Sequence, residues 1–392
     1  MNFSQINRQV FCLAVVVLIL LSGVAVFAQS NFVYLETNNG LTGQNAVLGY
    51  SNDGNGNLTL LPGAPYPTGG TGLTNFPNTG LALDADVEVV TNPAHTLMFA
   101  VDMHSNTIGA FTINANGSLT AVPGSPFPSL GPQPSSLSWT DTSNGAGVLT
   151  VMNKDSDPNQ TATNPNITTF ASSSSGVLTP TGNTITLPSG ASPTSVVNGK
   201  SHIIFADLFM GVPSAINSYR VNSSGVLTRL SGKTVPNGDH VFFGIAPHPS
   251  RNIFYAGLPG DSLIGVYAYA PLTGIMTFTR TVANTGTAIC WLTTNKAGTF
   301  LYTSETLSNS ITVYSLANPT TPTQVQHFTL ASGGNNGPTN LAFDTTGKFL
   351  YVLTGNTLHV LTVAANGTVK ETITPVALPV ASNDIAQGLV TF

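Results

Sequence analysis

A recurring hairpin constrains this chain more than any other feature. Asn106 to Phe127 reads NTIGAFTINANGSLTAVPGSPF. Ile108, Ala110 and Thr112, then Leu119 and Ala121, alternate with the period of a strand, and Asn116-Gly117 supplies a tight turn. The same unit returns at Leu48–Pro67, Ile167–Thr179, Ile216–Leu230, Leu263–Phe278 and Leu358–Ile373. A glycine expected at an exposed turn marks each copy: Gly56, Gly117, Gly176, Gly225, Gly274 and Gly367. The spacing is roughly fifty to sixty residues with one double gap, the signature of a repeat architecture.

Each hairpin is preceded by a second half. Gly337–Val352, GPTNLAFDTTGKFLYV, reads as strand, Asp-x-x-Gly turn and strand. Val87–Val101, Gly244–Ala256 and Ile289–Thr303 are its counterparts. One unit is therefore four antiparallel strands, and radial repetition of such a unit gives an all-β, seven-bladed β-propeller. Blade two runs near 81–128, then 131–191, 192–239, 240–285, 286–336 and 337–383. Blade six replaces the glycine turn with Asn318-Pro319-Thr320-Thr321-Pro322, and blade three carries a polar insertion, Lys154–Asn166. Blade one is split. Phe32–Leu35 is a second strand lacking a first, and Ile385–Phe392 a first strand lacking a successor. Their pairing would close the ring and remove the open sheet edges. Two tandem sandwiches are the rival reading, but no composition shift marks a linker.

The N-terminus reads as a targeting segment. Met1–Gln9 is polar with Arg8, Val10–Phe27 is almost wholly apolar, and Val26-Phe27-Ala28 fits a cleavage site. A signal peptide over 1–28 is expected, with a propeller over 29–392 that is secreted or periplasmic and free of membrane once cleaved; an uncleaved anchor is the alternative. Only 7% of residues are charged, with 11 Lys and Arg against 16 Asp and Glu, so there is no basic face for nucleic acid. Cys12 lies in the leader, leaving Cys290 alone and no intrachain disulfide. The protein is expected to be monomeric.

The repeat pattern of strand, turn, Leu-Tyr-Val, Asn/Ser-x-x-Ile-x-Val/Ala-Tyr/Phe and Gly-x-Leu-Thr resembles the lactonase family. Ser308–Leu316, SNSITVYSL, and Phe349–Leu353, FLYVL, carry it best. That family comprises seven-bladed propellers and includes 6-phosphogluconolactonase and the carboxymuconate cycloisomerases; the pattern also overlaps with secreted propellers bearing YVTN-type repeats. The resemblance implies hydrolysis of a small, sugar-derived lactone with no required cofactor. The enzymes' inner-strand Arg-His falls at Cys290-Trp291 here. Their Asn-Glu is approximated by Glu305-Thr306, and their Asp-Leu-Gly by Asp207-Leu208-Phe209.

In a propeller the loops after strand two and between blades share one face, which usually holds the site. That places Asp102, His104, Asp155, Asp157, Asp207, Asp261, Glu305 and His240 on loops around the channel mouth, and His95 and His248 on the opposite face. Lactone hydrolysis needs an activated water. His104 or Glu305 could be the base, with Asp207 orienting it; the alternative for each is a solvated loop residue. Asp84, Asp86 and Glu88 alternate and would share one face of a strand, where a hard divalent cation such as Ca²⁺ could sit. A wet channel lining, or a loop before the strand, is the other reading. Asp155-Ser156-Asp157 starts like a calcium loop, but Gln160 and Asn166 stand where Gly and Glu are needed. Asn57, Asn116, Asn166, Asn222 and Asn366 begin Asn-x-Ser/Thr as a by-product of turn chemistry. Trp139 and Trp291 are expected in the core. The ligand is a small-molecule lactone or, in a non-catalytic propeller, a carbohydrate, peptide or surface polymer.

Overall fold

Short runs of β-branched and aromatic residues, each closed by Gly, Asn or Pro, leave the backbone little choice but short strands. A computed structural model describes residues 31–161, 163–236 and 241–392. It shows seven antiparallel sheets in sequence order, each with a four-stranded path, and in blades one, two and seven a short fifth strand. Blade two is typical: Val89–Thr91, Leu97–Asp102, Thr107–Ile113 and Leu119–Ala121, with Phe127–Pro128 also pairing the third strand. The expected leader, 1–28, lies outside the described residues, as does His240.

The ring closes as the repeat count requires. Gln387–Thr391 is the innermost strand of blade one and pairs antiparallel with Asn31–Glu36, with Val33 opposite Thr391 and Leu35 opposite Leu389. Phe32 and Phe392 exchange backbone hydrogen bonds of 2.7 and 3.2 Å. The Phe392 ring stacks on Tyr34 at 5.3 Å and on His95 at 4.4 Å.

The core lies between neighbouring sheets. Val33, Leu35 and Leu48 of blade one pack with Tyr351, Leu358 and Val360 of blade seven, and Phe99 and Val101 of blade two with Trp139 and Leu149 of blade three. This explains the repeat glycines, with one correction. They are buried, not exposed, because each turn is pressed against the preceding blade. At Gly117 φ is +82°, and a Cβ would stand 2.5 Å from the Phe32 ring. At Gly367 φ is +84°, and a Cβ would meet Phe300 at 2.4 Å. Only Gly117 of the Asn116-Gly117 pair adopts positive φ. Gly117 N–H donates to Asn114 O, giving a type I turn closed by a left-handed glycine. A hydroxyl of the preceding blade then donates to the turn: Tyr34 to Gly117 O and Tyr302 to Gly367 O, both at 2.7 Å. Blade six, which lacks the glycine, offers Pro319 O to Tyr255 at 2.8 Å instead.

Candidate active site

The second strand of four blades ends in an acid: Glu36, Asp102, Asp207 and Glu305. The loop placement expected for Asp102, Asp207 and Glu305 is therefore corrected; they are terminal strand residues and fully buried. Burying a carboxylate is costly unless donors surround it, and each has its own set. Asp207 accepts from Thr194 N at 2.8 Å, Thr194 Oγ1 at 2.6 Å and Ser195 N at 2.7 Å, which pins the entry to the first strand of blade four. Glu305 accepts from Asn284 Nδ2 at 2.8 Å, Thr303 Oγ1 at 2.5 Å and Ser310 Oγ at 2.8 Å. Asn45 Nδ2 reaches both Glu36, at 2.7 Å, and Asp102, at 2.9 Å, joining blades one and two.

Asp84, Asp86 and Glu88 do not lie on a strand. The first strand of blade two begins only at Val89, and residues 84–88 precede it, after a short 3-10 turn over Gly80–Leu83. This segment crosses the propeller axis. Trp291 Nε1 of blade six donates to Ala85 O at 2.9 Å, and Leu137 N of blade three to Val87 O at 2.9 Å. Asp86 N donates to Thr194 O of blade four at 3.0 Å, and Ile245 of blade five reaches the Asp86 carboxylate through its backbone. Asn340 of blade seven donates to Glu88 Oε2 at 3.4 Å, and Gln387 of blade one to Leu83 O. Val87 takes φ +64°, a left-handed conformation that costs a β-branched residue about 1–3 kcal/mol and breaks the alternation the sequence suggests. The three carboxylates do not converge: among the described residues no group of three His, Cys, Asp or Glu could hold a metal ion.

Lys154, at the start of the blade-three insertion, is the cation of this cluster. It is fully buried, and its Nζ donates to Asp84 O at 2.5 Å. Burial pushes its pKa down to about 8, against the pull of Asp84, Asp207 and Glu88. Burial likewise raises Asp86 to about 7, helped by the Asp207 charge, and Asp102 and Asp207 to about 6 despite their donors. Glu36 and Glu88 are driven well above the carboxylate range by burial and by neighbouring acids. Each also keeps one buried oxygen without a partner, Glu36 Oε2 and Glu88 Oε1. Asp86 retains some accessible surface.

His104 is held by Asp157, not by Asp207. Its Nδ1 lies 2.8 Å from Asp157 Oδ2, and Phe76 stacks on the imidazole at 3.8 Å. Burial would raise Asp157, but donors from Asn159, Gln160 and His104 prevail and hold it below the usual range. An ionised carboxylate only accepts, so Nδ1 carries the proton and Nε2 is free to take one. Asp157 is three residues from Lys154, so their Cα atoms are no more than about 11 Å apart. Among the described residues, no hydrogen bond links His104, Asp207 and Glu305 to one another. Asp261 stays exposed at its turn, and His95 and His248 lie on the opposite face as expected. Sequence reading missed Glu36 and the roles of Ser195, Phe76 and Lys154. It also missed the buried pair of His359 Nδ1 and Glu371 Oε1, at 2.5 Å. Aligning FVYLE, MFAVD and LYTSE at the ends of the second strands would have found Glu36.

The raised acids set a pH dependence. Asp86, Asp102 and Asp207 bind protons in the folded state before they do in the unfolded chain. Their stabilising effect is fully present below about pH 4 and is lost as pH rises through 6 to 7. Asp157 and Glu371, with lowered pKa, act oppositely and cost stability only as pH falls below about 4. The melting temperature is expected to be higher at pH 5 than at pH 8 by at least about 3 °C. A flat or rising profile across that range would show that these carboxylates are solvated in the native protein.

Residues 240–383 match the family model described as Lactonase, 7-bladed beta-propeller. The chain is a seven-bladed propeller whose last three blades match the lactonase model. The match covers blades five to seven, the region containing SNSITVYSL and FLYVL. Among solved structures, the Pseudomonas aeruginosa periplasmic gluconolactonase superposes on this propeller with a TM-score of 0.71 at 15% identity, covering 92% of this chain and 98% of that one. A Bacteroides fragilis protein described as a candidate 6-phosphogluconolactonase gives 0.68 at 15% identity, over 94% and 99% of the two chains. A Lactobacillus plantarum protein gives 0.68 at 14%, over 92% and 99%. At such identities the likeness is one of fold. No curated protein matches the sequence.

Proposed function

We propose that this secreted or periplasmic propeller hydrolyses a small, uncharged, sugar-derived lactone, acting as a monomer without a cofactor. The observation that carries this reading is the His104–Asp157 pair on the strand-two face, an oriented imidazole with Nε2 free. Nε2 takes a proton from water as its oxygen attacks the lactone carbonyl. The imidazolium then returns that proton to the departing ring oxygen, leaving the open-chain acid. A phosphorylated substrate fits poorly, because a dianion calls for an Arg or Lys cluster and Lys154 is already surrounded by Asp84, Asp207 and Glu88. The periplasmic gluconolactonase among the structural neighbours supports the same substrate class.

The test is hydrolysis of glucono-δ-lactone and its 6-phosphate, corrected for spontaneous opening, with wild type, His104→Gln and Asp157→Asn. His104→Gln is expected to lower kcat about 10²- to 10⁴-fold, and Asp157→Asn to lower it less. A wild-type rate equal to that of buffer, or His104→Gln equal to wild type, would remove this base. One observation favours a second reading, a non-catalytic propeller binding a carbohydrate, peptide or surface polymer. Residues 84–88 cross the axis, while Leu41 and Leu307 on that face are 59% and 77% exposed. Retention by an insoluble polysaccharide, together with no lactone turnover, would favour it.

A further inference from the structure

On the face opposite His104, a cleft of about 300 Å³ opens between blades six and seven. Its walls are the turn holding Lys296, after the first strand of blade six, and the turn Thr345–Lys348 of blade seven. Its floor is apolar: Phe300, Phe343 and Val363 are half-buried, and Tyr302 lies beneath, edge-on to Phe343 at 4.9 Å. The volume sits at the small end of ligand pockets.

Two features decide what could fill it. The first is charge. In a chain with a net charge of −5, the cleft is lined by two lysines and by no Asp or Glu. Both are exposed, and neither ammonium has an ion pair or hydrogen bond among the described residues. Asp344, the residue before the Thr345–Lys348 turn, is 4% exposed and spends its oxygens on Phe349 N at 2.8 Å, Thr346 N at 3.2 Å and the Thr346 hydroxyl.

The second is the state of the other polar groups. Asn295 accepts from Thr299 N at 2.8 Å and Phe300 N at 3.0 Å and donates to Thr299 Oγ1 at 2.9 Å. The Thr345 hydroxyl donates to Asn31 and the Tyr302 hydroxyl to Gly367 O. A polyhydroxylated sugar would therefore meet amides and hydroxyls already engaged. An acid with a flat apolar body would lay that body on Phe300 and Phe343 and offer its carboxylate to the lysines.

We propose that the cleft between blades six and seven is a binding site for small amphiphilic carboxylates. It is independent of the lactone reading and stands on the other face of the ring. The probe is cinnamate, titrated by calorimetry into wild type, Lys296→Ala, Lys348→Ala and the double variant. Both lysines are exposed, so the melting temperatures should not change. Saturable binding is expected, weakened about threefold by each substitution and about tenfold by both, with cinnamyl alcohol, glucuronate and inorganic phosphate each binding at least about tenfold more weakly. No saturable binding of cinnamate, equal affinity in the double variant, or a control binding as tightly as cinnamate would each overturn the proposal.

Discussion

Removing residues 386–392 should unfold this protein at room temperature or leave it insoluble. The strand Gln387–Thr391 is the sole neighbour of Asn31–Glu36 on its inner side, and Val33, Tyr34 and Leu35 are completely buried there. Without it those side chains meet water and the ring gains an open edge, which invites pairing with other chains. Phe392 is 9% exposed and packs on Phe32, Tyr34 and His95, so Phe392→Ala alone should cost about 3 kcal/mol. Gln387 also holds Leu83 O, so the loss extends to the segment crossing the axis. Thermal unfolding of the truncated chain, with and without a synthetic peptide of residues 385–392, tests this. Addition of the peptide should restore solubility and cooperative melting. A truncated chain that melts within about 3 °C of the full one would mean that the blades hold together without closure.

The architecture was legible because its signals are local. Period-two alternation and a turn glycine sit within a dozen residues of each other, and repetition amplifies both. Asn106–Phe127 therefore announced a blade, and the unmatched strands at the two ends announced the closure. A turn glycine is usually exposed; that the surface of these is taken by Phe32 or Phe300 of the preceding blade depends on a neighbour tens of residues away. The same distance hid the site. Asp84-x-Asp86-x-Glu88 alternates like a strand, but a hydrogen bond from Trp291, 206 residues later, and the left-handed Val87 hold it across the axis instead. Asp207 looked like a solvated loop acid because its donors, Thr194 and Ser195, become recognisable only once strands one and two of blade four are paired. Nothing in the sequence joins Asp157 to His104, because the two belong to different blades.

Lys154→Met should be the most damaging single change within the axial cluster, and its effect should depend on pH. Methionine replaces the stem of the lysine but not its charge, so packing is largely kept while Asp84, Asp207 and Glu88 lose the positive group among them. Removing one partner of a buried charge cluster costs about 3–5 kcal/mol, since the remaining charges stay buried and uncompensated. The cost is carried by the ionised acids. Loss of the cation raises their folded pKa further, so the variant's deficit should be large at pH 8 and shrink towards pH 5, where protonation relieves the repulsion. Adding Asp86→Asn to the same variant should recover part of the loss at pH 8, by more than Asp86→Asn changes the wild type. Melting curves of the four proteins at pH 5 and 8 make the comparison. A deficit of equal size at both pH values would mean that Lys154 serves this cluster through its packing and its bond to Asp84 O, and that the acids around it do not depend on its charge.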